Sequence, residues 1–169
     1  MRQEPRNNIH ILIVDDERII RDSCSRILEK EGYKVCIADR GEGAIEEFDR
    51  KPFDLVLLDL KMPGTGGIET LRQLKEADPG ATILMMTGYP SIETAVKAIK
   101  LGAYDYITKP FTPDALRIAI NRALERKTLV VENHHLRQQL KAKDEADIIK
   151  VHISRTSPFQ IVWDYTFMG

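Results

Sequence analysis

Five short apolar runs mark the first two thirds of the chain, and each is cut off by a polar or turn-forming residue. Ile9–Val14, Tyr33–Ala38, Leu55–Leu58, Ala81–Met86 and Tyr104–Ile107 are rich in β-branched, aromatic and large aliphatic residues and have the length of strands. Leu55–Leu58 is continuous rather than alternating, which predicts a strand buried on both faces of a parallel sheet. Lys61-Met62-Pro63-Gly64 then breaks the run, because proline cannot donate to a ladder and Pro-Gly favours a turn. Between the runs, apolar positions recur with helical spacing: Ile19, Ile20, Cys24, Ile27 and Leu28; Ala44, Ile45 and Phe48; Ile68, Leu71 and Leu74; Ile92, Ala95, Val96 and Ile99; Leu116, Ile120, Ala123 and Leu124. Gly32 and Gly102 stop the first and fourth of these helices, and Thr112-Pro113 starts the last with a Thr N-cap and proline at N1. Strand and helix alternating five times predict an α/β fold, a doubly wound five-stranded parallel sheet covered on both faces.

In such a sheet, ligands gather outside the carboxyl ends of the strands, where strand order reverses. The polar residues that end the apolar runs therefore share one edge: Asp15 and Asp16 after the first, Asp59 after the third, Thr87 after the fourth and Lys109 after the fifth. Each has a plainer reading alone. Asp15-Asp16-Glu17 is also an acidic helix start stabilised by the dipole, Thr87 a turn residue and Tyr106 a core aromatic. Together they make a chemical set. Three neighbouring carboxylates repel one another unless a cation joins them, and all-oxygen donors without Cys or His favour a hard ion, Mg²⁺ rather than Ca²⁺ in a small open site. With charge neutralised, a carboxylate can attack a phosphoryl group and form an acyl phosphate. Asp59, on the central strand, is the expected nucleophile, with Lys109 supplying charge to the phosphoryl oxygens and Thr87 a hydrogen bond.

Composition narrows the remaining choices. The 169 residues suffice for one ordinary domain plus an appendage, and a net charge of −1 with no basic run gives no electrostatic case for nucleic acid or an anionic membrane. Ile9–Val14 is too short for a signal h-region or a membrane span, so a cytoplasmic protein is expected. Cys24 and Cys36 have no CxxC spacing and read as small buried hydrophobes. His10 lies inside an apolar strand and His152 in the tail, while His134 and His135 sit on a polar helix without a carboxylate partner at a meaningful spacing, so none is expected to be a phosphodonor or metal ligand.

On these residues the chain resembles the receiver domains of two-component response regulators, over roughly residues 9–124. The resemblance implies that Asp15 and Asp16 bind Mg²⁺ with Asp59 and the backbone carbonyl of Lys61, and that Asp59 is the phosphoacceptor. It implies that Thr87 is the switch hydroxyl, Lys109 the conserved lysine followed by a cis Pro110, and Tyr106 the switch aromatic of the fifth strand. It also implies the strand order 2-1-3-4-5, a sensor histidine kinase as phosphoryl donor, and a protein that catalyses only its own modification. Met62-Pro63 and Gly67 follow the family pattern, while Gly66 replaces an acidic residue common there, so a looser loop is expected. Two rivals fit less well. An aspartyl-nucleophile phosphatase needs a second Asp two residues after the nucleophile, where Lys61 stands, and a flavodoxin-like electron carrier needs a phosphate cradle where Asp15 and Asp16 would repel the phosphate.

The last helix is expected to continue, since residues 121–143 are helix-forming and contain no Gly or Pro. Leu129, Asn133, Leu136 and Leu140 are spaced four, three and four apart, a short a/d seam for a homodimer with Asn133 as a register-setting polar residue; a solvated single helix is the alternative. The run Glu132–Leu140 is similar to the linker between receiver and ATPase in sigma-54-dependent, NtrC-like activators. No P-loop and no helix-turn-helix pattern is present, so direct nucleic-acid binding is not expected of this chain, and a stand-alone receiver acting by protein contact is the second reading. The organisation expected is a receiver at residues 8–126, a helical linker at 127–146 and a tail at 147–169. In that tail Ile148–Ile153 alternates like a strand, Ser157-Pro158 breaks it, and Trp163 and Phe167 are expected to be buried. Packing on its own receiver, adding a strand to a partner, or being a remnant of a shortened chain all fit this segment.

Overall fold

The computed structural model describes residues 6–89 and 91–155, side chains of 151–155 excepted, so Trp163 and Phe167 lie outside the described residues. A single turn of 3₁₀ helix, Arg6–Asn8, leads into β1 (His10–Val14), α1 (Arg18–Lys30), β2 (Lys34–Ala38), α2 (Gly41–Arg50), β3 (Leu55–Asp59) and α3 (Gly66–Ala77). β4 (Ile83–Thr87), α4 (Ile92–Lys100), β5 (Asp105–Thr108) and α5 (Pro113–Arg155) follow. The strands form one five-stranded sheet in the order β2-β1-β3-β4-β5, and every pairing is parallel. That is the order implied by the family resemblance.

Continuous apolar runs suit this sheet because successive residues of one strand feed two different cores. Leu12, Val14, Val56, Leu58, Ile83 and Met85 pack on one face with Ala44 of α2, Leu71 and Leu74 of α3 and Ala98 of α4. Ile11, Ile13, Leu55, Leu57, Leu84 and Met86 pack on the other with Cys24 and Leu28 of α1 and Leu116, Ile120 and Ala123 of α5. Each fully buried aliphatic side chain stabilises the fold by roughly 1.5–3 kcal/mol relative to leaving it in water.

Local signals act as the sequence suggests. Gly32 takes φ +90° just past α1, a conformation that a side chain would strain. Thr112 Oγ1 accepts the Ala115 N–H at 3.1 Å at the start of α5, and Ser91 Oγ accepts the Thr94 N–H at 3.1 Å at the start of α4. β4 begins at Ile83 rather than Ala81, because Ala81 N–H closes the Asp78 turn at 3.0 Å instead of joining the ladder.

The larger correction is in the tail. Residues 148–153, which alternate like a strand, continue α5 to Arg155. No Gly or Pro lies between Pro113 and Pro158, so nothing interrupts the i to i−4 ladder, and a helix satisfies its own backbone where a strand would need a partner. By contact density the chain divides after Lys127. No helix among the described residues is long and apolar enough to cross a membrane.

Candidate functional site

The backbone ladder fixes the site before any side chain does. Asp59 is the last residue of β3, in register with Met86, and Leu60 N–H bonds Met86 O at 2.8 Å. Asp15 follows β1 and bonds Ala38 O through its own N–H at 3.2 Å, while Lys109 N–H bonds Thr87 O at 2.7 Å. The Lys109–Pro110 peptide is cis. Gly67 lets α3 start hard against this edge: a Cβ there would lie 2.1 Å from Asp59 O and 2.6 Å from Leu60 Cα, so any side chain would displace the phosphoacceptor candidate.

Asp15, Asp16 and Asp59 each present a carboxylate oxygen, all within 4.8 Å of one another. Asp15 and Asp59 are buried, and Asp16 faces solvent. Lys109 Nζ lies 2.6 Å from Asp15 Oδ2, 3.2 Å from Asp59 Oδ1 and 3.4 Å from Glu17 Oε1. Asp15 Oδ1 accepts the Glu17 N–H at 2.9 Å, whereas Oδ2 is buried with the ammonium beside it as an ion pair but no aligned hydrogen bond. Burial, and then the Asp15 charge, push the Asp59 carboxyl up to about 6 against the pull of Lys109. Burial alone would lower Lys109, but Asp15 and Asp59 outweigh it and hold its pKa above the usual lysine value. A buried carboxylate oxygen with spare acceptor capacity, flanked by two more acids and no Cys or His, fits a hard divalent cation bound through oxygen.

Thr87, buried at the end of β4, accepts the Tyr89 N–H through Oγ1 at 3.1 Å, and among the described residues its hydroxyl proton meets no acceptor. Tyr106 stands outside, 42% exposed, beside a crevice lined by Leu60, Met85, Thr87, Ser91, Thr94, Ala95 and Ala98. That crevice has room for roughly one water, so the Tyr106 ring cannot enter until its walls move. Lys61 lies two residues past Asp59 and sends its ammonium 4.1 Å over the Tyr89 ring, leaving its carbonyl as the group it can offer the pocket.

At the turn around Gly66, contacts to α2 and within α3 hold the backbone. Thr65 Oγ1 hydrogen-bonds Glu42 of α2, Thr70 Oγ1 donates to Gly66 O at 2.7 Å, and Gly66 already begins α3. Glu17, legible in the sequence only as part of an acidic helix start, joins the site through Lys109, and its one signal is its place beside the acidic pair. Leu129, Leu136 and Leu140 are exposed along α5, at 59%, 56% and 61%, and Asn133 is exposed with them.

A family model described as the response regulator receiver domain matches residues 11–121. This chain belongs to that family. Transcriptional regulatory protein ZraR of Escherichia coli O157:H7 is 42% identical over 118 residues, 70% of this chain and 27% of that protein. NtrX from Brucella abortus has a TM-score of 0.73 at 39% identity, covering 76% of this chain and 30% of that one. A CheY-like receiver domain protein from Methanospirillum hungatei JF-1 has a TM-score of 0.69 at 38% identity, covering 71% of this chain and 96% of that one. The receiver thus spans less than a third of the length of the curated relatives it matches, and those relatives fall among the NtrC-like regulators, the group that Glu132–Leu140 resembles.

Proposed function

We propose that this receiver is a phosphorylation switch in which Asp59 accepts a phosphoryl group from the phosphohistidine of a sensor histidine kinase. An Asp59 carboxylate oxygen forms the bond to phosphorus, the P–N bond to histidine breaks, and the imidazole keeps the electron pair and takes a proton from solvent. The observation that carries this reading is the Lys109 ammonium bridging Asp15 and Asp59, two buried acids at the end of central strands. Asp15, Asp16, Asp59 and the Lys61 carbonyl would hold Mg²⁺, which when bound neutralises charge on the phosphoryl oxygens. Lys109 keeps the nucleophile oriented and pairs with the phosphoryl oxygens, and Thr87 donates its free hydroxyl proton to one of them. Movement of Thr87 opens the crevice in which Tyr106 turns inward, so that phosphate shifts a population between two packings of α4 and β5.

The kinase reads and writes this site in the cytoplasm, and the output is that of the regulatory part of a transcriptional activator. Support for the output comes from relatives named as transcriptional regulators and from the exposed seam Leu129, Asn133, Leu136 and Leu140, which suits a homodimer. Incubation with acetyl phosphate tests the chemistry: the intact mass should gain one phosphoryl group only when Mg²⁺ is present, and Asp59→Asn should gain none. Equal labelling of Asp59→Asn would overturn the assignment.

A further inference from the structure

The loop that carries Asp15 and Asp16 is fastened through its backbone. Arg21, on the first turn of α1, sends Nη1 back to Asp15 O at 2.7 Å and to Asp16 O at 2.9 Å. The contacts are to peptide carbonyls, and among the described contacts Arg21 makes none to a carboxylate. Glu17, the residue before α1, gives no side-chain cap; its N–H is taken by Asp15 Oδ1 at 2.9 Å, and its carbonyl receives Arg21 N–H at 3.1 Å. A closed ring results, running from Asp15 through Glu17 into the helix and returning through the guanidinium.

We propose that Arg21 is the positioning residue of the acidic pocket: it fixes the backbone bearing Asp15 and Asp16 through their carbonyls, so that the loop is held for a divalent cation without the guanidinium occupying either carboxylate. Three carboxylates with oxygens inside 4.8 Å push one another apart, and two of them sit on consecutive residues of an irregular segment between β1 and α1. An arginine paired to those carboxylates would relieve the repulsion but compete with the ion for the same oxygens. One bound to the carbonyls brings a positive charge to the loop and restrains it while occupying no carboxylate oxygen. Arginine suits this place because it stays charged and its donors are held in a rigid fork. The inference rests on the reading of the pocket as a Mg²⁺ site.

Arg18 provides the control. It lies on the same turn and carries the same charge, but its side chain is 85% exposed and, among the described residues, pairs only with Asp22, at 3.4 Å. The test is a titration of the full chain with Mg²⁺ alone, followed by amide chemical shifts, for wild type, Arg21→Met and Arg18→Met, with thermal melts in chelator. Wild type should show saturable shifts around Asp15 and Asp59. Arg21→Met should weaken the apparent Mg²⁺ affinity about tenfold, the range in which outer partners of metal ligands act, and Arg18→Met should bind as wild type does. Equal affinity in Arg21→Met, or an equal loss in Arg18→Met, overturns the assignment to Arg21 while leaving the pocket intact. A wild type without Mg²⁺-dependent shifts overturns both. Should Arg21→Met not fold, Arg21→Gln decides, since its amide is too short and carries no charge: the same weakening supports the proposal and unchanged affinity refutes it.

Discussion

At the carboxyl edge of the sheet, Asp15, Asp59 and Lys109 are charged groups held out of water, whereas along α5 Leu129, Leu136 and Leu140 are apolar groups held in it. Both arrangements cost free energy in the isolated chain, and each cost indicates what is to be added. In the pocket the missing component is positive charge, because among the described residues three acids face a single ammonium. On the helix it is apolar surface. The pocket is also pre-formed, since ladder hydrogen bonds fix Asp15, Leu60 and Lys109, whereas the leucines of α5 are ordered only by the helix that carries them. The contrast separates two kinds of substitution: those in the pocket should change stability and chemistry together, whereas those on the seam should leave the receiver's stability nearly unchanged.

The largest effect is expected from Lys109→Met. Its ammonium is the one described cation on both Asp15 and Asp59, so without it the metal-free domain loses roughly 3 kcal/mol at pH 8, as when one partner is removed from a buried ion pair. Chemical denaturation in chelator measures it, and the loss should shrink at pH 5, where Asp59 is mostly protonated. A stability equal to wild type would erase the distinction between pocket and seam.

Asp59→Asn acts in the opposite direction. Because the folded domain holds the Asp59 proton up to about pH 6, against an ordinary value of 3.8, this group's contribution to stability is fully present below pH 3.8 and is lost as pH rises through about 6. The ionised, buried carboxylate thus costs the chelated domain up to about 3 kcal/mol at pH 8, at 1.36 kcal/mol per pH unit. Asp59→Asn should be more stable than wild type at pH 8 in chelator, with the advantage fading toward pH 4. A variant without that pH-dependent gain would mean that Asp59 is better solvated than its burial indicates.

Smaller still are the effects on the seam. Leu136→Ala should leave the receiver's melting transition within about 0.5 kcal/mol, as exposed sites do, while lowering the mass seen by light scattering at micromolar concentration if the seam joins two copies. A monomeric wild type under those conditions would remove the dimer from the account.

How far the sequence is legible follows the same division. The buried strands are readable because continuous apolar runs have one comfortable environment, and the edge residues are readable because each breaks such a run. Tertiary partners leave no local trace. Nothing near Arg21 in sequence announces that its guanidinium returns to the Asp15 and Asp16 carbonyls, and nothing at Asp54 announces that it takes the His10 N–H at 2.9 Å and the Lys127 ammonium at 3.0 Å. In the tail, the β-branched residues around Ile148 resemble a strand by composition, but helix continuity upstream outweighs that preference.

Where the phosphoryl group resides decides between Asp59 and its acidic neighbours. Borohydride reduction of the chain after treatment with acetyl phosphate and Mg²⁺ converts an aspartyl phosphate to homoserine, and peptide sequencing by mass spectrometry locates it. Phosphorylation of Asp59 gives homoserine at position 59 and leaves aspartate at positions 15 and 16; homoserine at either of those positions, or at none, would rule out Asp59 as the phosphoacceptor.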